Sequence, residues 1–152
     1  MEIVHYENEK TSVILGKDYC PNSAMKNEFQ SEMINVQMVK IELHGQKLLN
    51  YQVDHNAQFI LFHLKIRNIY GRRLLIDSND FYVKFDGQGP YPCEEFFNYP
   101  NQFYDRFYLE PYASKEGILI FVVSKNCKKI MLSYDEEYED NCKMYKLKYI
   151  LS

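Results

Sequence analysis

The sequence predicts an all-β protein, an antiparallel β-sandwich of about seven to nine short strands. In several segments apolar side chains alternate with polar ones, which is the pattern of a strand with one buried face. Aromatic residues make up 16% of the 152 residues, as 14 Tyr and 10 Phe without Trp, and both types favour strands. Turn residues separate the segments, and no long helical pattern occurs between them. One domain fits a chain of 18.3 kDa.

The clearest alternation lies in the middle of the chain. There, core-facing residues are separated by polar ones such as His63 and Lys65, and the turn sequence Asp86–Pro90 closes the second strand. The residues expected to face the core are Ile60, Phe62, Leu64, Ile66, Phe81, Val83 and Phe85. Phe59 and Leu61 break the alternation, so we expect a neighbouring loop to cover the outer face at that point.

A change of parity marks the preceding strand. Ile34, Val36 and Met38 share one parity, whereas Val39, Ile41 and Leu43 share the other. Because such a change requires one additional residue in the strand, we predict a β-bulge near Met38–Val39. A turn at residues 44–47 then leads into a short strand at 48–53.

The two ends of the chain are less regular. Residues 11–15 predict an edge strand, and residues 23–33 form either a short helix capped by Ser23, with Met25, Phe29 and Met33 on one face, or a loop. Strands are predicted again at 117–123, 130–134 and 145–151, with the acidic residues 135–140 linking the last two. We expect residues 1–33 to pack as an N-terminal segment on a sandwich formed by residues 34–152.

Charge and hydropathy exclude some partners. The net charge is −3 with a pI near 5.8, and the cations form no basic stripe, so nucleic-acid binding is disfavoured. No apolar run approaches the roughly 20 residues of a membrane span. The first residues do not resemble an export signal, which predicts a cytoplasmic protein if Met1 is the native start. The alternative is an extracytoplasmic protein whose export signal is missing from this chain.

The four cysteines are Cys20, Cys93, Cys127 and Cys142. They form no C-x-x-C pair, which disfavours a structural zinc site. If the last two strands form a hairpin, Cys127 and Cys142 lie at its opposite ends, about 20 Å apart at about 3.3 Å per residue, beyond the reach of a disulfide. We interpret all four as free thiols, with disulfides as the alternative in an exported protein.

Several core and turn residues follow one another in a recognisable order. After Asn68 come Leu74, Ile76, Asp77, Asp80 and Phe81, then Asp86-Gly87, Tyr91, Leu109-x-Pro111 and Gly117-x-Leu119-x-Phe121-x-Val123. This order resembles the bacterial immunoglobulin-like domain of unknown function that is found in lipoproteins and secreted antigens, over residues 34–151. The resemblance implies an immunoglobulin-like sandwich and no catalytic residues. Some members of that family carry a telomere-repeat-binding label, which this non-basic composition does not support.

The segment 91–112 has little periodicity and many aromatic rings. These rings form either a recognition surface, because rigid rings supply contact area at low entropic cost, or a plug that closes one end of the sandwich, which we favour. The candidate binding rings are Phe96, Phe97, Tyr99, Phe103, Tyr104, Phe107 and Tyr108.

A second candidate surface lies on the strand 117–123. If Leu119, Phe121 and Val123 face the core, then Ile118, Ile120 and Val122 face away. The outward row is either an exposed contact for another protein or a second copy of the chain, or, as we favour, a surface that the N-terminal segment covers.

Metal and enzyme chemistry are the weakest predictions. The acidic segment 135–140 lacks the order of a calcium-binding loop and is typical of a solvated hairpin tip. No catalytic or nucleotide-binding motif occurs, and the histidines are isolated in sequence. A catalytic Cys–His pair is the alternative, since its two residues would meet only in the folded chain.

We therefore predict a non-catalytic interaction module without metal or cofactor. The alternatives are an architectural domain and a small-molecule binder that uses a pocket at 91–112.

Overall fold

The computed structural model describes residues 2–6, 10–14, 27–96, 98–103 and 105–151. It confirms the all-β sandwich. The first strands are β1 (Glu2–Tyr6), β2 (Lys10–Ile14), β3 (Glu28–Gln30), β4 (Ile34–His44), β5 (Lys47–Leu48), β6 (Tyr51–Gln52) and β7 (Ala57–Asn68). After these come β8 (Leu74–Asp77), a 3₁₀ turn (Ser78–Asp80), β9 (Phe81–Phe85), β10 (Gln88–Pro92), β11 (Arg106–Leu109), β12 (Ser114–Ser124), β13 (Lys129–Tyr138) and β14 (Asn141–Ile150).

Two large sheets enclose the core. One has the strand order β12-β7-β4-β1-β2, with β3 also paired to β4, and the other has the order β10-β9-β13-β14. Two ribbons, β8–β11 and β5–β6, complete the described strands. The alternating residues of β4, β7 and β12 meet those of β9, β13 and β14 in one buried cluster. The predicted core-facing residues of β7 and β9 all lie in this cluster, because their period of two places them on one face of each sheet.

The predicted β-bulge is confirmed. The register between β4 and β7 shifts between Met38 and Lys40, which leaves Val39 as the additional residue. The bulge also divides the opposite edge of β4 between two partners. β3 pairs antiparallel with residues 35–37, and β1 pairs parallel with residues 40–44.

Several segments differ from the prediction. Residues 28–30 are strand rather than helix, while Ser23, Met25 and Cys20 lie outside the described residues. The predicted strand 48–53 is a two-stranded ribbon, because Leu49 turns the chain at φ 54°. Residues 91–112 contain β11 and the end of β10. β10 pairs with the predicted strand β9, whereas β11 pairs with β8, which was not predicted as a strand.

The last hairpin is longer than its pattern indicates. Residues 135–138 belong to β13, and the turn consists only of Glu139 and Asp140, both at positive φ. Cys142 lies beside this turn, opposite Glu137, whereas Cys127 precedes the other end of the hairpin, as predicted. In the described part of the chain Cys93, Cys127 and Cys142 form no disulfide. The predicted strand 11–15 corresponds to β2 at the end of its sheet, with Leu15 outside the description.

Candidate functional site

The segment 94–103 lies along the free edge of β12. Glu94 N donates to Ile120 O at 2.7 Å, Phe103 N donates to Ile118 O at 2.9 Å, and Ile118 N donates to Asn101 O at 2.9 Å. The buried Gln102 ties the segment together, since its Nε2 donates to Glu94 O at 2.8 Å. The segment therefore shields an edge strand whose main-chain groups would otherwise need water or another strand.

Phe96 covers the outer face of the large sheet. Its ring is buried with Leu48, Phe59, Leu61, Ile118 and Ile120, and Val122 is half-buried beside them. The outward row is therefore covered rather than exposed at Ile118 and Ile120, the second of which is 0% exposed, so these two residues offer no exposed contact to another protein. Among the residues that the structure describes, those that cover this face come from the loop 94–103 and the β5–β6 ribbon. This cover also explains why Phe59 and Leu61 break the alternation of β7.

Phe103 plugs the sandwich from the same loop, on the inner side. Its ring belongs to the main core and stacks on Phe107 with centroids 5.0 Å apart. Lys115 Nζ lies 4.6 Å from the centroid of the Phe107 ring. Phe96 and Phe103 are thus buried on opposite faces of this sheet, and a cleft of about 220 Å³ beside their loop is lined by Asn101 together with His63, Glu116 and Ile118. Phe97 and Tyr104 lie outside the described residues, and Tyr99 is half-buried.

Of the seven candidate rings, Tyr108 is the one that the structure describes as exposed. Tyr108 lies on β11 directly opposite Leu75 of β8, and the two side chains are 57% and 47% exposed. The guanidinium carbon of Arg73 lies 4.0 Å from the centroid of the Tyr108 ring, and Arg73 Nε lies 3.0 Å from Glu110 Oε1.

Two further exposed tyrosines adjoin this pair. Tyr112 is 60% exposed, and its hydroxyl lies 3.3 Å from where a side-chain carbon at Gly71 would stand. Tyr70 precedes that glycine and is also exposed. We name Tyr70, Leu75, Tyr108 and Tyr112, together with Arg73, the tyrosine surface. Sequence reasoning identified only Tyr108 of these residues.

Asn68 holds the loops that carry the tyrosine surface. It is fully buried at the end of β7, and its Nδ2 donates to Arg72 O at 2.6 Å and to Leu109 O at 3.0 Å. Its Oδ1 accepts from Tyr70 N at 2.8 Å, and its own N–H donates to Ala113 O at 3.0 Å. One side chain therefore fixes both loops. The sequence signal that could have identified Asn68 is an asparagine at the end of a strand, followed by a turn that contains Gly71.

A polar cleft borders the same surface. It has a volume of about 340 Å³ and is lined by Asn35, Gln37, Lys65, Arg67, Tyr112 and Ser114. Arg67 Nε donates to the main-chain oxygen of Tyr112 at 3.4 Å. Cations thus flank the exposed rings on this side, which favours a partner with acidic groups.

A buried carboxylate lies on the outer face of β4. Glu42 is 7% exposed, and its oxygens lie 2.7 Å from Lys40 Nζ, 3.1 Å from His44 Nε2 and 3.4 Å from His63 Nε2. Burial alone raises the pKa of Glu42, but the hydrogen bonds from His44, His63 and Lys40 outweigh it and hold the pKa well below 4.5. Within the described residues, no group of three or more His, Cys, Asp or Glu is arranged to hold a metal ion.

Solved structures of two bacterial proteins share this fold. A putative lipoprotein (ycdA) from Bacillus subtilis matches with a TM-score of 0.67 and 18% identity, over 82% of this chain and 38% of that chain. The yjhA protein from Bacillus subtilis matches with a TM-score of 0.55 and 13% identity, over 81% of this chain and 97% of that chain. This chain therefore spans less than half the length of the first protein. Identities this low show a common fold only.

No family model matches the chain, and no curated protein matches it. Among the described residues, no helix has the length and the apolar character that crossing a membrane requires.

Proposed function

We propose that this domain is a non-catalytic interaction module and that the tyrosine surface binds another protein. The observation that supports this proposal is the cross-strand pair Leu75–Tyr108. Both residues are exposed, and the guanidinium group of Arg73 lies over the Tyr108 ring. Tyr and Arg are the residue types that most often dominate binding energy at protein interfaces. Because these residues are exposed, they contribute little to the core, and exposed apolar groups of this kind mark sites of protein–protein contact.

The rigidity of this surface supports the proposal further. Asn68 binds main-chain atoms of Tyr70, Arg72 and Leu109, so the loops that carry the rings have little main-chain freedom left to lose when a partner binds. The cations Lys65 and Arg67 line the adjoining cleft, and we infer that the partner presents acidic side chains beside an apolar contact.

The other parts of the assignment are proposals of the same kind. We propose that the sandwich is immunoglobulin-like, as the order of core and turn residues predicts. We also propose that the domain acts outside the cytoplasm, because the similar and longer Bacillus subtilis protein is a putative lipoprotein. The small-molecule alternative has less support, since Phe96 and Phe103 are buried in the two apolar clusters rather than lining a pocket.

Site-specific photo-crosslinking in the native host tests the proposal. A photoreactive phenylalanine analogue replaces Tyr112 in one chain and the exposed Met144, on the other sheet, in the control. We expect one discrete protein adduct from position 112 and none of that mass from position 144. The identified partner, once purified, should bind Tyr108→Ala about tenfold or more weakly, and Met144→Ala with unchanged affinity.

Two results would contradict the proposal. Binding by the purified partner that is unaffected by Tyr108→Ala would exclude the tyrosine surface. An adduct with twice the mass of this chain would show self-association at this surface instead of a separate partner.

A further inference from the structure

The outer face of the four-stranded sheet carries four lysines in successive rows. Met131 of β13 lies between Lys84 and Lys148 on the neighbouring strands, and Lys146 and Lys129 belong to the adjacent rows. Because alternate residues of a strand share a face, all four lysines point away from the core. We name Lys84, Lys129, Lys146 and Lys148 the lysine half of this face.

Carboxylates occupy the other end of the same face. Asp135 and Glu137 continue the outward row of β13, opposite Met144 and Cys142. Burial raises the pKa of the Asp80 carboxyl, and repulsion from Asp77, Asp135 and Glu137 raises it further. Four negative groups therefore lie close enough to repel one another. We name Asp77, Asp80, Asp135 and Glu137 the acidic half.

The two halves do not neutralise each other within the chain. In the described ranges, no lysine of the lysine half lies within 4.0 Å of a carboxylate oxygen, the distance of an ion pair. Exposed apolar side chains accompany the charges, since Met144 and Ile150 lie on the same face. A cleft of about 390 Å³ also opens between Lys84, Met131, Lys148 and Ile150.

We propose that this face is a self-complementary interface at which two copies of the chain associate about a twofold axis. An isologous interface brings a patch against itself, so opposite charges on either side of the axis face each other. An axis that is parallel to the sheet, perpendicular to its strands and level with Tyr134, midway between Ser133 and Asp135, places Glu137 of one copy against Lys84 and Lys148 of the other. It places Asp135 against Lys146. This inference is independent of the proposed function, because the tyrosine surface shares no residue with either half.

The area of the face sets the expected strength of the dimer. From Lys129 to Glu137 the strand extends roughly 26 Å, and four strands span roughly 19 Å. Each copy therefore buries roughly 500 Å² and the pair about 1,000 Å², the lower limit for a specific interface. We expect a weak dimer that high salt dissociates, because exposed charges are screened over about 10 Å at 0.1 M salt.

Sedimentation velocity of the full chain tests this proposal, at concentrations up to about 1 mM and at low and high salt. We expect Lys148→Glu and Glu137→Lys each to raise the dimer dissociation constant about tenfold or more, because each places like charges opposite one another. An equimolar mixture of the two variants should associate again, since both of its cross-contacts then pair opposite charges. Lys47→Glu makes the same charge change at an exposed lysine of the β5–β6 ribbon, away from this face, and should leave association unchanged. Circular dichroism melting checks that each variant is folded.

Three results would overturn the proposal. The first is a wild-type chain that stays monomeric at every concentration. The second is a dimer that both reversals leave intact, which would locate the contact elsewhere. The third is a dimer that Lys148→Glu dissociates and Glu137→Lys does not, which would assign the lysine half to a different anionic partner.

Discussion

The ring of Phe103 lies directly over Gly117, so closely that a side-chain carbon added to the glycine would stand 2.5 Å from Phe103 Cε1. Gly117 is buried in β12, and the ring is fixed in the core by its stacking on Phe107. We therefore expect Gly117→Ala to reduce the free energy of unfolding by about 1–3 kcal/mol, measured by urea denaturation.

A smaller side chain at position 103 provides the control for this variant. If the contact is the cause, Gly117→Ala should cost less in a Phe103→Leu background than in the wild type, because leucine leaves room for the methyl group. Equal costs in both backgrounds would show that the two residues do not interact.

The buried Glu42 predicts a dependence of stability on pH. Its folded pKa is held below the unfolded value of 4.5 by its hydrogen bonds, so its contribution is complete above pH 4.5 and declines as the pH falls. Glu42→Gln removes the titrating group. The difference in unfolding free energy between wild type and Glu42→Gln should therefore be constant at neutral pH and shrink below about pH 4.5. A difference that stays constant down to pH 2.5 would contradict this prediction.

A second buried carboxylate joins the start of β4 to the opposite sheet. Ser31 Oγ donates to Glu136 Oε2 at 2.5 Å, and Glu32 N donates to Glu136 Oε1 at 3.0 Å. We expect Ser31→Ala to reduce the unfolding free energy by about 1.5–3 kcal/mol, because it removes a hydrogen bond to a buried charged group. Thermal melting followed by circular dichroism measures the effect. Ser114→Ala, at an exposed serine, should change stability by less than about 0.5 kcal/mol.

The described cysteines should differ in reactivity. Cys142 is exposed, whereas burial, aided by the charge of Asp86, raises the pKa of Cys127 to about 11. At pH 8 about one Cys127 thiol in a thousand is then ionised, and the thiolate is the reactive species. Iodoacetamide labelling followed by peptide mass spectrometry should therefore find Cys142 modified well before Cys127. Similar labelling rates would show that the Cys127 site opens readily.

Sequence periodicity predicted the sandwich because one face of each main strand is buried. Residues 62–66 and 81–85 alternate cleanly, and the parity change at Val39 is a direct consequence of the pleat, so the bulge was predictable. Strands β10 and β11 were not predicted, because β10 is an exposed edge strand, β11 belongs to a two-stranded ribbon, and neither has enough buried side chains to show alternation. The turn at Glu139 and Asp140 was also missed, since glutamate is not a typical choice for positive φ and no glycine marks the turn.

The candidate site was harder to predict than the fold. The aromatic residues of 91–112 look alike in sequence, and only tertiary packing separates the buried Phe96 and Phe103 from the exposed Tyr108. The exposure of Ile118 and Ile120 depended on whether a distant segment covers them, which period-two alternation does not encode. The loop that carries Tyr70 joins the loop that carries Tyr112 because Asn68 binds both, a contact between residues far apart in the chain.

The parallel pairing of β1 with residues 40–44 has a practical consequence for anyone who truncates this chain. A version that starts after residue 14 loses the strand that satisfies the peptide groups on this side of β4. An unpaired strand edge of this kind can pair with strands of other molecules and leads to aggregation. Fusion tags and protease sites therefore belong at the carboxyl end, so that β1 remains in place and keeps the edge of β4 covered.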